Sequence, residues 1–305
     1  MKMVRDDDGA RGASVSRAAE LRRLLAAPPV TCLGAYDAMT AILAERAGAP
    51  VVYVSGYAAS AARLGRPDLG IMTQSEMAEH VGRICAATRC PVIADADNGY
   101  GGVLNVQRTI ELWEAAGAAG LHLEDQIFPK RCGHIAGKEV IAAGEMVEKL
   151  RAAAAARRDP DFLIIARTDA LAVHGMEDAL ARCRLYAEAG ADALFVDAPA
   201  TLADLERITA TLAPLGKVLV FNAARTLKSP VLGAAELHRI GFGLILYPIE
   251  ALLVAHRAVA RAYQALRVTG STETLAEEMT SFADFNDFIG LPEYLARDAG
   301  FTGRE

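Results

Sequence analysis

Pro91-Val92-Ile93-Ala94-Asp95-Ala96-Asp97-Asn98-Gly99-Tyr100-Gly101-Gly102 is an apolar run ending in two acids and a glycine-rich turn. The run Val92–Asp95 reads as a buried strand. An amphipathic stretch, Val103–Ala116, follows; Gly117 stops it, and Gly120–Glu124 reads as the next strand. This is one β–α–β step, and the pattern recurs in both directions. Upstream, Val30–Ala35 leads to a helix over Asp37–Ala47, and Val51–Ser55 leads through a loop to Ser75–Thr88, with Ser75 as N-cap. Downstream, Gly120–Glu124 leads through a long loop to Ala143–Arg158. The pairs Leu163–Arg167 with Met176–Ala189, Leu194–Asp197 with Leu202–Leu212, Val218–Asn222 with Ala234–Ile240, and Leu244–Tyr247 with Ile249–Leu266 complete the series.

Helix endings of one kind recur before strands: Ala47-Gly48-Ala49, Ala116-Gly117-Ala118 and Ala189-Gly190-Ala191. The strands are nearly all apolar, as parallel strands covered on both faces must be. Eight such steps predict an α/β fold, a closed (β/α)8 TIM-like barrel. A doubly wound open sheet is the alternative, but no Gly-x-Gly-x-x-Gly turn follows the first strand. A helix over Val15–Leu25, ended by Pro28-Pro29, is expected to cover the barrel floor. Residues 1–14 are expected to be disordered and 15–305 to form one barrel domain with a C-terminal helical tail. In that tail Phe282, Phe285 and Phe288 make a helical stripe that docks on a partner subunit or on the barrel.

Hydrophobic residues make up 52% of the 305, enough for one large core, and the formal net charge is −6. Without a basic stripe the chain is not expected to bind nucleic acid. No apolar segment precedes Arg17, which argues against a secretory signal, and the stretch Ile249–Ala255 is cut by His256 and Arg257, so no membrane span is expected. Five cysteines without metal-pair spacing point to reduced thiols and a cytoplasmic protein. Cys32, Cys85, Cys90 and Cys183 read as core or surface thiols.

Active sites of such barrels lie at the carboxyl ends of the strands. Here those ends carry Ser55-Gly56-Tyr57, Asp95 and Asp97, Glu124, Arg167, Asp197 and Asn222. Asp125 and Asp169 are explained equally well as helix caps. Strand alternation predicts that Asp95 and Asp97 point the same way, an arrangement that needs a cation between them. With Glu124 they offer hard oxygen ligands, favouring Mg2+ or Mn2+ over zinc. The backbone N–H groups of Ser55-Gly56-Tyr57 suit one carboxylate and the planar fork of Arg167 a second. His122 shares the face of Glu124 and reads equally well as an interior or a catalytic histidine. Cys132 stands among Lys130, Arg131 and His134, cations that lower a thiol pKa, and Gly133 and Gly137 give its loop freedom to close over substrate.

At these residues the sequence resembles the isocitrate lyase / phosphoenolpyruvate mutase superfamily. The matching pieces are Ser55-Gly56-Tyr57, Leu64–Gly70, Asp95–Gly101, Leu123–Gln126, Pro129–His134 and Ala166–Asp169, within similarity running from about Val30 to Leu266. The resemblance implies Mg2+, a small carboxylate substrate, and a homotetramer whose last barrel helix is exchanged between subunits. By matching motif it implies that Asp95, Asp97 and Glu124 hold Mg2+ directly or through water, and that Asp68 lies near the metal's waters. Ser55, Gly56 and Tyr57 would hold the α-oxocarboxylate, with Gly133 and His134 in the same substrate-binding set. Cys132 would be the general acid, and Arg167 would grip substrate and stabilise an enolate, with Asn222 beside it. The general base stays open between Tyr53 and a metal-bound water.

Two departures stand out. Asp197 occupies a position where the superfamily often has Glu. The segment Asn222–Pro230 keeps Asn222, loses the usual acidic residue and glycine pair, and gains Arg225 and Lys228. The expected activity is a Mg2+-dependent carbon–carbon lyase acting on a methylisocitrate- or dimethylmalate-like acid. The alternatives are a phosphonate enzyme, since phosphorylmutases of the superfamily carry the same Lys-Arg-Cys-Gly-His run, and a non-catalytic carboxylate binder.

Overall fold

The computed structural model describes residues 15–130, 137–225 and 229–302. The apolar runs form eight strands: β1 (Val30–Gly34), β2 (Val51–Val54), β3 (Val92–Asp95), β4 (Gly120–Glu124), β5 (Leu163–Thr168), β6 (Ala193–Val196), β7 (Val218–Asn222) and β8 (Leu244–Tyr247). Neighbours pair in parallel in chain order, and β1 pairs with β8, so the sheet closes on itself. The expected (β/α)8 barrel is what forms. Strands β2 to β6 are buried at every position, since side chains fill the barrel and helices cover it.

The helices are α1 (Arg17–Leu25), α2 (Ala38–Arg46), α3 (Gly56–Leu64), α4 (Gln74–Ala87), α5 (Val103–Ala115), α6 (Ala143–Ala156), α7 (Leu171–His174), α8 (Met176–Glu188), α9 (Leu202–Leu212), α10 (Ala234–Ile240), α11 (Glu250–Thr269), α12 (Phe282–Phe288) and α13 (Leu291–Thr302). Helix α1 crosses the strand-start end, as expected of a floor. Its Arg17 donates to the carbonyls of Cys85 and Thr88, both at 2.7 Å, and Arg22 donates to the Asp161 carbonyl at 2.9 Å. Leu21 and Leu25 are buried beneath it.

Three local expectations fail. The segment after β2 is not a loop but α3. Ser55 accepts from the Ala58 N–H to cap it, alanines fill it, and Gly65 ends it at φ 60. The serine and glycine that read as a turn are the entry to a helix. Helix α4 is capped by Thr73, not Ser75: Thr73 and Glu76 satisfy each other's backbone N–H groups in a capping box. Asp125 and Asp169 cap nothing; both are fully buried acids in the side-chain network described below.

His80 in α4 is buried, and its Nε2 has no hydrogen-bond partner. Burial, then the charge of Arg63, lowers its pKa to about 4 from 6.5; Arg83 adds to this, while Asp37 and Glu79 oppose it. Above pH 6.5 both folded and unfolded chains hold this histidine neutral. Below it the unfolded chain takes up the proton first, so stability falls from pH 6.5 towards 4 and then levels. His80→Gln removes that slope. In urea unfolding at pH 7 and pH 4.5, the wild type is expected to lose about 2 kcal/mol more than the variant; equal losses would discount the argument.

The chain divides into two compact units, residues 1–252 and 253–305. The first holds the barrel. The second holds most of α11, with α12 and α13; within it the rings of Phe285 and Phe288 lie 5.9 Å apart, and Phe282, Tyr294 and Leu295 are exposed. Among the described residues no helix is long and apolar enough to cross a membrane.

Candidate active site

Asp95 is the last residue of β3, and Asp97 lies beyond it at φ 46. Strand alternation therefore does not align the two carboxylates; a left-handed turn does. The N–H of Gly56, at the start of α3, donates to Asp95 Oδ2 at 3.0 Å, and the N–H of Asp97 donates to Asp95 Oδ1 at 2.9 Å. A Cβ on Gly56 would lie 2.8 Å from Asp95 Oδ2 and 3.3 Å from Asp97 Oδ1, so both carboxylates close on a place only glycine leaves open.

Lys130 is the cation on this side. Its Nζ reaches both oxygens of Asp68 at 2.7 Å and lies 2.6 Å from Asp97 Oδ1. The Asp97 contact is a close ion pair, so one ammonium serves both acids. Below it, in the barrel interior, Tyr53 Oη and His122 Nε2 are 2.5 Å apart, and the same nitrogen is 3.4 Å from Asp95 Oδ1. Phe195 meets the histidine ring edge-on at 6.1 Å. His122 is thus paired and buried, with Nδ1 alone unsatisfied.

The opposite side is built on Arg167. Its Nε and Nη2 donate to the two oxygens of Asp169 at 3.0 and 3.1 Å. Nη2 is also 3.2 Å from Asp197 Oδ2, and Nε is 3.4 Å from Glu124 Oε2. The guanidinium carbon lies 5.2 Å from the centroid of the Phe195 ring. Lys138 donates to the same two acids, at 2.6 Å to Asp169 and 3.4 Å to Asp197. Asp125 holds this side from behind, accepting from Thr168 Oγ1, the Asp169 N–H, Tyr186 Oη and Arg182.

Among the described residues the charges do not balance: six buried carboxylates (Asp68, Asp95, Asp97, Glu124, Asp169, Asp197) face three cations with buried side chains (Lys130, Lys138, Arg167). Burial pushes Glu124 well up, only partly offset by Arg167 and Lys130. Burial raises Asp97 too, with Asp95 and Asp68 adding to it against Lys130. Asp95 goes the other way: burial would raise it, but the charges of His122, Lys130 and Arg167 and the Asp97 N–H hold it low. Burial, then Asp95, raises the Tyr53 phenol well above its usual range, so it keeps its proton near neutrality. Among the described residues, one oxygen each of Glu124 and Asp197 is buried with no donor. Such a site draws in protons or an external cation.

Of the residues singled out in the sequence, Tyr53, Ser55, Gly56, Asp68, Asp95, Asp97, Glu124, Arg167 and Asp197 are buried in or beside this cluster. Tyr57 is half-buried in the first turn of α3. Asn222 ends β7, and its Oδ1 accepts from the Ala224 N–H at 3.0 Å. Arg225 is exposed. Cys132, Gly133, His134 and Lys228 lie outside the described residues. Sequence reasoning missed Lys138, Asp125 and Asp169 as members. Asp169 stands two places after Arg167, a spacing open to inspection; nothing local marks Lys138. Among the described residues no three His, Cys, Asp or Glu side chains are grouped as a metal ion would require.

A parallel barrel with buried acids and cations at its carboxyl rim is the frame of an enzyme for small charged substrates. The profile of the family described as phosphoenolpyruvate phosphomutase matches residues 21–267. The chain is 41% identical over 292 residues to the 2,3-dimethylmalate lyase of Eubacterium barkeri, covering 95% of this chain and all of that one. It is 42% identical to the chloroplastic carboxyvinyl-carboxyphosphonate phosphorylmutase of Arabidopsis thaliana, covering 88% and 80%. A structure of oxaloacetate acetylhydrolase with the inhibitor 3,3-difluorooxalacetate superimposes with a TM-score of 0.89 at 34% identity, covering 95% and 98%. The chain belongs to the phosphoenolpyruvate phosphomutase family, within the isocitrate lyase / phosphoenolpyruvate mutase superfamily, and is an enzyme of that group.

Proposed function

We propose that this enzyme is a Mg2+-dependent lyase that breaks a carbon–carbon bond in a small 2-hydroxy- or 2-oxo-dicarboxylate. One observation carries the reading. The rim joins a corner of two buried carboxylates, Asp95 and Asp97, closing on the place that Gly56 leaves open, to a guanidinium gripped along one edge and backed by an aromatic ring. The first suits a hard cation and the second a substrate carboxylate or a developing enolate.

Mg2+ fits the donor set. The available atoms are carboxylate oxygens, the described residues of the cluster carry more acids than cations, and among the described residues Glu124 Oε1 is buried without a donor. Mg2+ commonly takes one or two carboxylates and keeps several waters. Asp95 and Asp97 would hold it, with Glu124 acting through water; Mn2+ would substitute. Bound there, the ion supplies Lewis-acid polarisation of the substrate's 2-oxygen.

The chain's own residues do the rest. The start of α3 at Ser55-Gly56-Tyr57 would orient the 2-oxocarboxylate end, while its Gly56 N–H holds Asp95; Asp197, Gly133 and His134 complete the substrate-binding set that the resemblance implies. As the 2-hydroxyl of a hydroxy acid loses its proton the C2–C3 bond breaks, leaving a 2-oxo acid and an enolate; a 2-oxo acid would first add water at C2, and the same break then leaves oxalate and an enolate. Arg167 and Asn222 stabilise the enolate, and Cys132 protonates it. The covalent chain tethers Cys132 two residues from Lys130, which supports that assignment. For Tyr53 to take the hydroxyl proton, its own must pass to His122 Nε2, 2.5 Å away. The resemblance also supports a homotetramer with an exchanged helix, and the exposed Phe282, Tyr294 and Leu295 fit such a contact.

The test is release of a 2-oxo acid from a panel of malate-, methylisocitrate- and dimethylmalate-like acids. Activity is expected with Mg2+ or Mn2+, to disappear after chelation, and to return on readdition. No release from any member in Mg2+ ends the reading. A phosphonate substrate would instead show as a changed phosphorus NMR signal; the exposed Arg225 gives that alternative little support.

A further inference from the structure

We propose that Lys138 is a positioning residue for Arg167: its buried ammonium shares Asp169 and Asp197 with that guanidinium, holding the fork in place and preserving its positive charge for a carboxylate ligand. The inference rests on the reading of Arg167 as the substrate grip.

Lys138 Nζ donates to Asp169 Oδ1 at 2.6 Å and to Asp197 Oδ2 at 3.4 Å. Arg167 Nη2 meets the same two oxygens, at 3.1 and 3.2 Å. Two cations and two carboxylates therefore form a closed square, with the lysine and both acid side chains nearly out of solvent. Arg167 has Glu124 on it as well. Without Lys138, three carboxylates would converge on a single guanidinium and cancel its charge. With Lys138, the two acids are divided between two cations, so less of the Arg167 charge is taken up by them. The guanidinium charge that remains can then attract an incoming carboxylate.

The anchoring of the segment supports a fixed role. Immediately after Lys138, the chain runs antiparallel to the exit of β4. Ile127 N–H donates to the Glu139 carbonyl at 3.0 Å, and Ile141 N–H donates to the Asp125 carbonyl at 2.9 Å. Arg182 donates to the Ile141 carbonyl at 2.8 Å. The lysine thus enters the cluster from a pinned backbone. A buried lysine pinned between two acids is costly to assemble unless its charge is needed there.

The experiment measures oxalate binding in Mg2+ by calorimetry, beside steady-state kinetics on the best panel acid, for K138M, K138Q and K138R. Near-UV circular dichroism establishes that each variant is folded; K138Q keeps a donor for the acids if K138M does not fold. K138Q and K138M are expected to bind oxalate about 10- to 100-fold more weakly and to raise KM more than they lower kcat. K138R is expected to stay within a few-fold of wild type, since it restores the charge. Wild-type affinity in K138Q, or equal weakening by K138R and K138Q, would overturn the role. If wild type binds oxalate but cleaves no acid, the lyase reading fails, while the binding comparison still decides the role of Lys138.

Discussion

Arg167→Gln is expected to lower kcat/KM by about 10²- to 10³-fold and to destabilise the fold by about 3–5 kcal/mol. Both effects have one origin. Arg167 is buried against Asp169, Asp197 and Glu124, so those acids lose their shared cation if its charge goes. Lys138 would be left facing Asp169 and Asp197 alone, and Glu124 would lose its nearest cation. Glutamine fills much of the space but supplies neither charge nor fork. Arg167→Lys separates the two losses. It keeps the charge, so most of the stability should return, but a point charge cannot make the planar two-donor contact. Activity should therefore stay low in the lysine variant while the urea midpoint recovers. Full activity in Arg167→Lys would remove the guanidinium from its proposed part in binding and enolate stabilisation.

Cys132→Ser is expected to lower kcat by about 10²- to 10⁴-fold, with KM within a few-fold of wild type. A thiol near pKa ~8.5 gives up a proton readily beside cations, whereas a hydroxyl, nearer water's ~15.7, does not. Two lysines flank the cysteine in sequence, and both hold rim acids: Lys130 holds Asp68 and Asp97, and Lys138 holds Asp169 and Asp197. Exchange of the cleavage product's carbon-bound hydrogen with deuterated water reports on the proton step directly. It should vanish in the serine variant while oxalate binding persists. Undiminished turnover and exchange in Cys132→Ser would assign the proton to another group.

The barrel was legible because its signal is periodic and local. Apolar runs, glycine stops and carboxyl-end polar residues repeat eight times, and each repeat reports on the others. What escaped was local chemistry that contradicts a simple template. Ser55-Gly56 opens a helix where a turn was expected, because the alanines after it outweigh one glycine. Asp95 and Asp97 converge through a left-handed residue, although strand alternation had predicted the same convergence.

The sequence by itself determined the barrel, its direction, and which rim residues could bind or transfer charge, because strand order and strand ends follow from chain periodicity. Only the tertiary structure decided how those charges are shared. Lys130 with Asp68 and Asp97, Lys138 and Arg167 with Asp169 and Asp197, and Tyr53 with His122 pair across 30 to 69 residues of chain, apart from the Arg167–Asp169 pair. Closing the barrel removes these groups from water, and it is there, where each charge must find a partner, that their pairing acquires its energy.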